Sequence, residues 1–220
     1  MKSFRERIDK NGTKKREKKM VVFLTSFNTE MEPSKDMLLI LGKKERTLEI
    51  HREYEKRKIL GPWGLDKLAN LYKGNSEGKL QDLGFYYYWK NSLKGIKSFV
   101  KSLKDNGIIV GALSFDPQFL MDVLKEDIGL DFAVGTKLEY QNGITTGKIL
   151  EKVDRYKKAE ILEKKKKEFA INKVITIGRA SVVHLPTFKK SDIVFGFDPA
   201  KRNVYLPKIL DILHSQRIIG

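Results

Sequence analysis

The chain has 220 residues, with 44 Lys and Arg against 28 Asp and Glu, a net charge of +16 and no cysteine. Disulfides, thiolate metal sites and cysteine nucleophiles are therefore excluded, and no apolar run approaches the roughly 20 residues that span a bilayer. The length suits one sizeable core, or a core with a small second domain. The positive field favours anionic partners, while a Lys/Glu-rich composition equally suits the solvated surface of a heat-stable protein. The N-terminus is too charged for the apolar region of a signal peptide, so a soluble, cytoplasmic protein with no membrane partner is expected.

In chain order, residues 1–19 hold nine Lys/Arg and three acids with no sustained apolar period, which reads as a basic arm. Met20, Val21, Val22, Phe23 and Leu24 then form an apolar run that stops in small polar residues. A buried central strand of a parallel sheet reads this way. Ligands of open α/β sheets sit beyond the carboxyl ends of the strands, which puts Leu24, Thr25, Ser26 and Asn28 at the site, with no acid among them.

Residues 30–90 read as four short helices, near 37–41, 45–58, 65–72 and 76–90, broken at Gly42, at Gly61-Pro62-Trp63-Gly64 and at Gly74. This is too much for an ordinary crossover and predicts a helical cap inserted after the first strand. The last helix carries Phe85, Tyr86, Tyr87, Tyr88 and Trp89. A base-stacking platform is one reading; the helical spacing of Phe85, Tyr88 and Trp89 favours core packing.

From Lys94 the pattern becomes regular. A helix with Ile96, Phe99, Val100 and Leu103 ends at Asn106-Gly107. A strand over 108–113 ends at Ser114, and Pro117 opens the following helix at its first turn. A short strand at 131–134 precedes a β-hairpin, 137–140 with 144–149, turned by Asn142-Gly143. A basic helix over 156–169 has its lysine run 164–167 in solvent. Strands at 174–177, ending in Gly178-Arg179, and at 193–197, ending in Asp198-Pro199, precede a closing helix at 205–214. The fold class predicted is α/β, a Rossmann-like doubly wound parallel sheet with an inserted helical cap and a β-hairpin. The division is an arm at 1–19, a core at 20–29 and 91–220, and a cap at 30–90.

The strand VVFLTSFNT, the cap-sized insert and the segments GIKSFVKSLKDNGIIVGALSFD, IGLDFAVGTKLEYQNGITTGKI, KKAEILEK and ITIGRASVVHLPTFKKSDIVFGF together resemble the haloacid dehalogenase superfamily. The nearest members are the phosphoserine phosphatases with a helical cap, and the likeness runs over about residues 20–215. The resemblance implies an Asp-x-Asp pair after the first strand, nucleophile and general acid, at positions that here read Leu24 and Ser26. It implies a phosphate-holding Ser or Thr, matched by Ser114, and a Lys opening the basic helix, matched by Lys158 with Lys157 one residue off. It implies an acidic run that holds Mg²⁺, which here reads Gly178, Arg179, Ala180, Ser181, Val182, Val183, His184. The metal-ligand Asp has become Arg179, and its partner falls on Val183 or His184. Leucine is neither nucleophile nor ligand, and Mg²⁺ prefers carboxylates, so the family's catalytic acids and its Mg²⁺ site are expected to be lost while Ser114 and Lys158 remain.

Other residues carry less. Asp116 reads as a helix N-terminal residue, His184 as a packed or surface histidine beside Leu185-Pro186, and Thr25, Ser26 and Ser181 have no legible His-Asp partners. The leading functional expectation is a non-catalytic pseudophosphatase without metal. Its residual pocket of Ser114, Lys158 and Arg179 would bind a phosphorylated small molecule or inorganic anion, with the Arg179 guanidinium in the vacated metal space. Two alternatives stand beside it. One is an active phosphomonoester hydrolase with relocated residues, for which Glu30 and Glu32 lie too far along to replace Leu24. The other is a nucleic-acid-binding or scaffold protein that uses its basic surface without a recognised motif.

Overall fold

The structure is a computed structural model, described for residues 17–24, 32–61, 64–197 and 205–219. The predicted first strand, β1 (Lys19–Leu24), is interior to a six-stranded sheet. Its other strands are β2 (Ile109–Pro117), β3 (Phe132–Gln141), β4 (Ile144–Glu151), β5 (Lys173–Arg179) and β6 (Ile193–Phe197), in the order β4-β3-β2-β1-β5-β6. All neighbours are parallel except β3 and β4. Leu24 pairs with Leu113 on one side and Gly178 on the other, so Ser114 and Arg179 come next along the two flanking strands.

Both faces of β1 are covered, which is why it reads as a continuous apolar run. Val21 and Phe23 join the larger cluster with Phe99 and Val100 of α5 (Ile96–Asp105) and Ile209 and Leu213 of α9 (Tyr205–Ser215). Met20, Val22 and Leu24 join the opposite cluster with Leu162 of α7 (Arg155–Glu168). Asn142 and Gly143 both take positive φ, 50° and 74°, the geometry of a tight hairpin turn between β3 and β4.

Between β1 and α5 lie α1 (Pro33–Ile40), α2 (Lys44–Arg57), α3 (Leu65–Leu71) and α4 (Glu77–Asn91). This helical insert shares its core with the sheet layer. Ala69, Tyr72, Leu80, Tyr87 and Tyr88 belong to the same buried cluster as Val21 and Phe23, and the Tyr72 ring meets Phe119 of α6 (Gln118–Ile128) edge-on at 5.7 Å. Gly84 lets α4 close onto α6, where an added Cβ would stand 3.3 Å from Leu120. The remaining helix, α8 (Leu185–Phe188), follows a 3₁₀ turn at Val182–His184. No helix among the described residues is long and apolar enough to cross a membrane.

Several local expectations change. The strand predicted at 131–134 and the first hairpin arm are one strand, β3, because pairing with β2 and then β4 keeps its backbone extended throughout. Pro117 ends β2 and caps α6 from outside instead of occupying its first turn. Asp116 accordingly belongs to the strand and is 3 % exposed; the residue before a proline is pushed out of the helical region. On α4 the buried face is Leu80, Gly84, Tyr87 and Tyr88, whereas Phe85 is 46 % and Trp89 80 % exposed. The expected core set of Phe85, Tyr88 and Trp89 thus keeps only Tyr88, because α6 packs against a neighbouring stripe of the helix. Residues 1–16 of the basic arm, together with Thr25, Ser26, Asn28, Asp198 and Pro199, lie outside the described residues.

Candidate functional site

A cavity of about 250 Å³ opens between the carboxyl ends of the strands and the helical insert. The sheet side contributes Phe115 and Asp116 from β2, Asp154, Arg155 and Lys158 from the start of α7, and Arg179 to His184 apart from Val182. The insert contributes Glu32, Ser34, Ile50, His51, Tyr54, Glu55, Lys58, Leu65 and Leu68.

Helix α7 is aimed by its N-cap. The Asp154 carboxylate accepts hydrogen bonds from the N–H groups of Tyr156 at 2.8 Å and Lys157 at 2.9 Å. Arg155, Lys158 and Leu162 then fall on one helical face and are buried. Of the two lysines singled out in sequence, Lys157 turns outward and pairs with Glu160 at 3.0 Å, while Lys158 enters the site. The Lys158 Nζ lies 3.2 Å from Nδ1 of His184 and over the Phe115 ring. Burial brings the Lys158 ammonium down to about 7, with Asp116 opposing and Arg155 assisting that shift. His184 falls well below its ordinary value through burial first, then the Lys158 and Arg179 charges.

Asp116 is the buried carboxylate of the cavity. It accepts a hydrogen bond from the Ser114 hydroxyl at 2.5 Å, and its own N–H donates back to Ser114 Oγ at 3.0 Å. The hydroxyl and backbone N–H of Ser34, in the first turn of α1, also donate to it. Burial raises its pKa, while the bonds from Ser114 and Ser34 and the charge of Lys158 pull it back.

The sequence-predicted residues separate into three places. Lys158, Arg179, Val183 and His184 line the cavity. Arg179 carries its guanidinium at the rim, 3.1 Å from Glu32 Oε1, with about half of each side chain exposed. Ser114 sits behind Asp116, 1 % exposed and not in the lining. Leu24 is also fully buried and outside the lining, packed in the α7-side cluster, where a Cβ on Gly178 would stand 2.9 Å from its own Cβ. Two polar ties between the insert and α7, both made by Arg155 among the described residues, were missed in sequence. Arg155 donates through Nη2 to the carbonyl of Lys58 and bonds the Tyr54 hydroxyl. The role of Asp116 was missed as well, although its place before Pro117 already argued against a helical residue. Among the described residues no three His, Asp or Glu side chains converge as a metal-binding group.

No family model matches the chain. It is 29% identical over 171 residues to the phosphoserine phosphatase of Archaeoglobus fulgidus, covering 76% of this chain and 49% of that protein. It is 30% identical over 106 residues to the phosphoserine phosphatase of Methanocaldococcus jannaschii, covering 47% of this chain and 50% of that one. The chain thus spans about half the length of these curated relatives. A solved structure described as a phospho-aspartyl intermediate analogue of phosphoserine phosphatase superposes with a TM-score of 0.70 at 24% identity, over 88% of this chain and 91% of that one. With an interior first strand, an insert placed directly after it and a cavity at the strand ends, the chain has the Rossmann-like haloacid dehalogenase fold of its phosphoserine phosphatase neighbours and is similar in sequence to phosphoserine phosphatases.

Proposed function

We propose that this chain is a non-catalytic member of its family that binds an anionic small molecule, phosphorylated or a simple inorganic anion, in the cavity without turning it over. The observation that carries the reading is the end of β1. Leu24 is fully buried in an apolar layer there and offers hydrocarbon where covalent catalysis would need a nucleophile. The cavity retains Lys58, Arg155, Lys158 and Arg179. Three of its acids are already engaged: Glu32 with Arg179, Asp154 with the α7 N–H groups, and Asp116 with Ser114 and Ser34. The Arg179–Glu32 pair is solvent-exposed, so it contributes little and gives way readily to a bidentate anion.

The donor set does not fit Mg²⁺, which takes oxygen ligands and chiefly carboxylates. The position expected to supply its Asp is Arg179, and Lys158 adds a second cation to the same cavity. The proposal therefore includes no metal cofactor.

The test is phosphate release from phosphoserine and from an aryl phosphate in Mg²⁺, paired with melting in phosphate against chloride at equal ionic strength. No release above buffer is expected. Phosphate should raise the melting temperature through preferential binding to the folded state, and Arg179→Ala should lose most of that gain. Release that persists through repurification would favour the alternative, an active hydrolase; the observation in its favour is Asp116, a carboxylate in the cavity wall. The basic-surface reading predicts polyanion binding that collapses with salt and ignores Arg179.

A further inference from the structure

We infer that Asp116 is the chain's own occupant of the inner anion position of the cavity, and that it fastens the helical insert to the sheet through Ser34. Hydrogen bonds from two elements and a charge from a third converge on it. Ser114 Oγ–H comes from β2 at 2.5 Å, the Ser34 hydroxyl and N–H come from the first turn of α1, and the Lys158 ammonium acts from α7. Hydroxyls, a free N–H at a helix start and a buried lysine form the donor set that receives an oxyanion. Here a side-chain carboxylate, 3 % exposed, already fills it.

The second half of the inference follows from what Ser34 touches. Its carbonyl accepts from the Tyr72 hydroxyl at 3.0 Å, and the Tyr72 carbonyl accepts from Thr145 Oγ1 of β4 at 2.6 Å. A buried polar line thus runs from β2 through the insert to the hairpin. Asp116 is the member that joins it to the cavity. Bound phosphate and the Asp116 carboxylate compete for the same donors, so an incoming anion is held by the outer cations and kept from Ser114. This holds whether or not the outer cations receive a physiological ligand, and it makes Asp116 a specificity-determining residue.

The test is titration of the full chain with inorganic phosphate at fixed ionic strength, using wild type, Asp116→Gly and Asp116→Asn. Amide hydrogen exchange of residues 33–40 is followed in parallel. Asp116→Gly vacates both space and charge and should bind phosphate at least about tenfold tighter than wild type, as expected for removing one like charge beside a buried anion. Asp116→Asn removes the charge alone and should fall between the two. Exchange at 33–40 should quicken in Asp116→Gly and slow again when phosphate is added. Wild-type affinity in both variants would overturn the inference, and should the glycine variant not fold, wild-type affinity in Asp116→Asn suffices. Unchanged exchange at 33–40 in a folded Asp116→Gly would overturn the fastening role. A wild type that binds no phosphate while Asp116→Gly does would count against the proposed anion-binding function and in favour of the occupant.

Discussion

Lys158 Nζ and His184 Nδ1 stand 3.2 Å apart at the inner end of the cavity, with Lys158 fully buried and His184 1 % exposed. For the lysine to donate, Nδ1 must be the acceptor, which places the imidazole proton on Nε2. The pair joins α7 to the 3₁₀ turn after β5, and its titration should be visible in stability. The Lys158 ammonium has a folded-state pKa of about 7 against an ordinary 10.5. The unfolded chain therefore binds the extra proton between those values, and stability should rise with pH across that window by on the order of 1 kcal/mol per pH unit. Urea unfolding at about pH 7.5 and about pH 9.5 should show this rise in wild type and lose it in Lys158→Met.

His184 gives the acid-side counterpart. Its folded-state pKa lies well below 6.5 because the ring is buried beside two cations. A base held neutral by the fold stabilises it above the unfolded pKa, and that stability is lost as pH falls below 6.5. His184→Gln should flatten the decline of the urea midpoint between about pH 6.5 and about pH 5 relative to wild type.

Leu24 should behave as a core residue. Leu24→Ala should cost about 3 kcal/mol in urea unfolding, the usual penalty for emptying a packed leucine site. Leu24→Asp should cost more at neutral pH and recover part of the loss as the carboxyl protonates in acid. Placing at this one position the acid that the resemblance implies should not create phosphatase activity, because the side chain packs among Val22, Leu113 and Leu162.

Gly135 backs directly onto the Asp116 peptide. A Cβ at Gly135 would stand 2.4 Å from the Asp116 carbonyl oxygen and 2.7 Å from Met121 Cγ. Backbone cannot yield there as a side-chain tip can, so Gly135→Ala should destabilise by about 3 kcal/mol. The carboxylate position should shift with it, read as a changed phosphate affinity at a temperature where the variant remains folded.

Asp154 sets the start of α7 and hence the position of Lys158. Asp154→Ala should cost about 1 kcal/mol, while Asp154→Asn, which retains a capping oxygen, should cost less. Thermal melts of the two variants distinguish the loss of the cap from the loss of a cavity charge.

The architecture was legible in the sequence because its signals are local. The doubly covered β1 has to be a continuous apolar run, the Asn142-Gly143 turn needs two positive φ values, and the α5 face of Ile96, Phe99, Val100 and Leu103 repeats at helical spacing. Lys158 was reached through the family resemblance with Lys157 left as its alternative, and burial of the one beside exposure of the other separates them.

What the tertiary structure alone decided is which of several equivalent local choices each side chain takes. Helix α4 offers two adjacent aromatic stripes, and only the approach of α6 at Gly84 selects Tyr87 and Tyr88 over Phe85 and Trp89. Arg179 could have entered the space beside Leu24, yet Glu32, 147 positions earlier in the chain, draws it to the rim. Asp116 acquires its environment from Ser34, Ser114 and Lys158, residues on three elements that no periodicity connects. Strand and helix formation depends on neighbours a few positions away and is written locally. Desolvation and hydrogen-bond partnership depend on what the fold brings across from elsewhere, and they exist only once the insert has closed on the sheet.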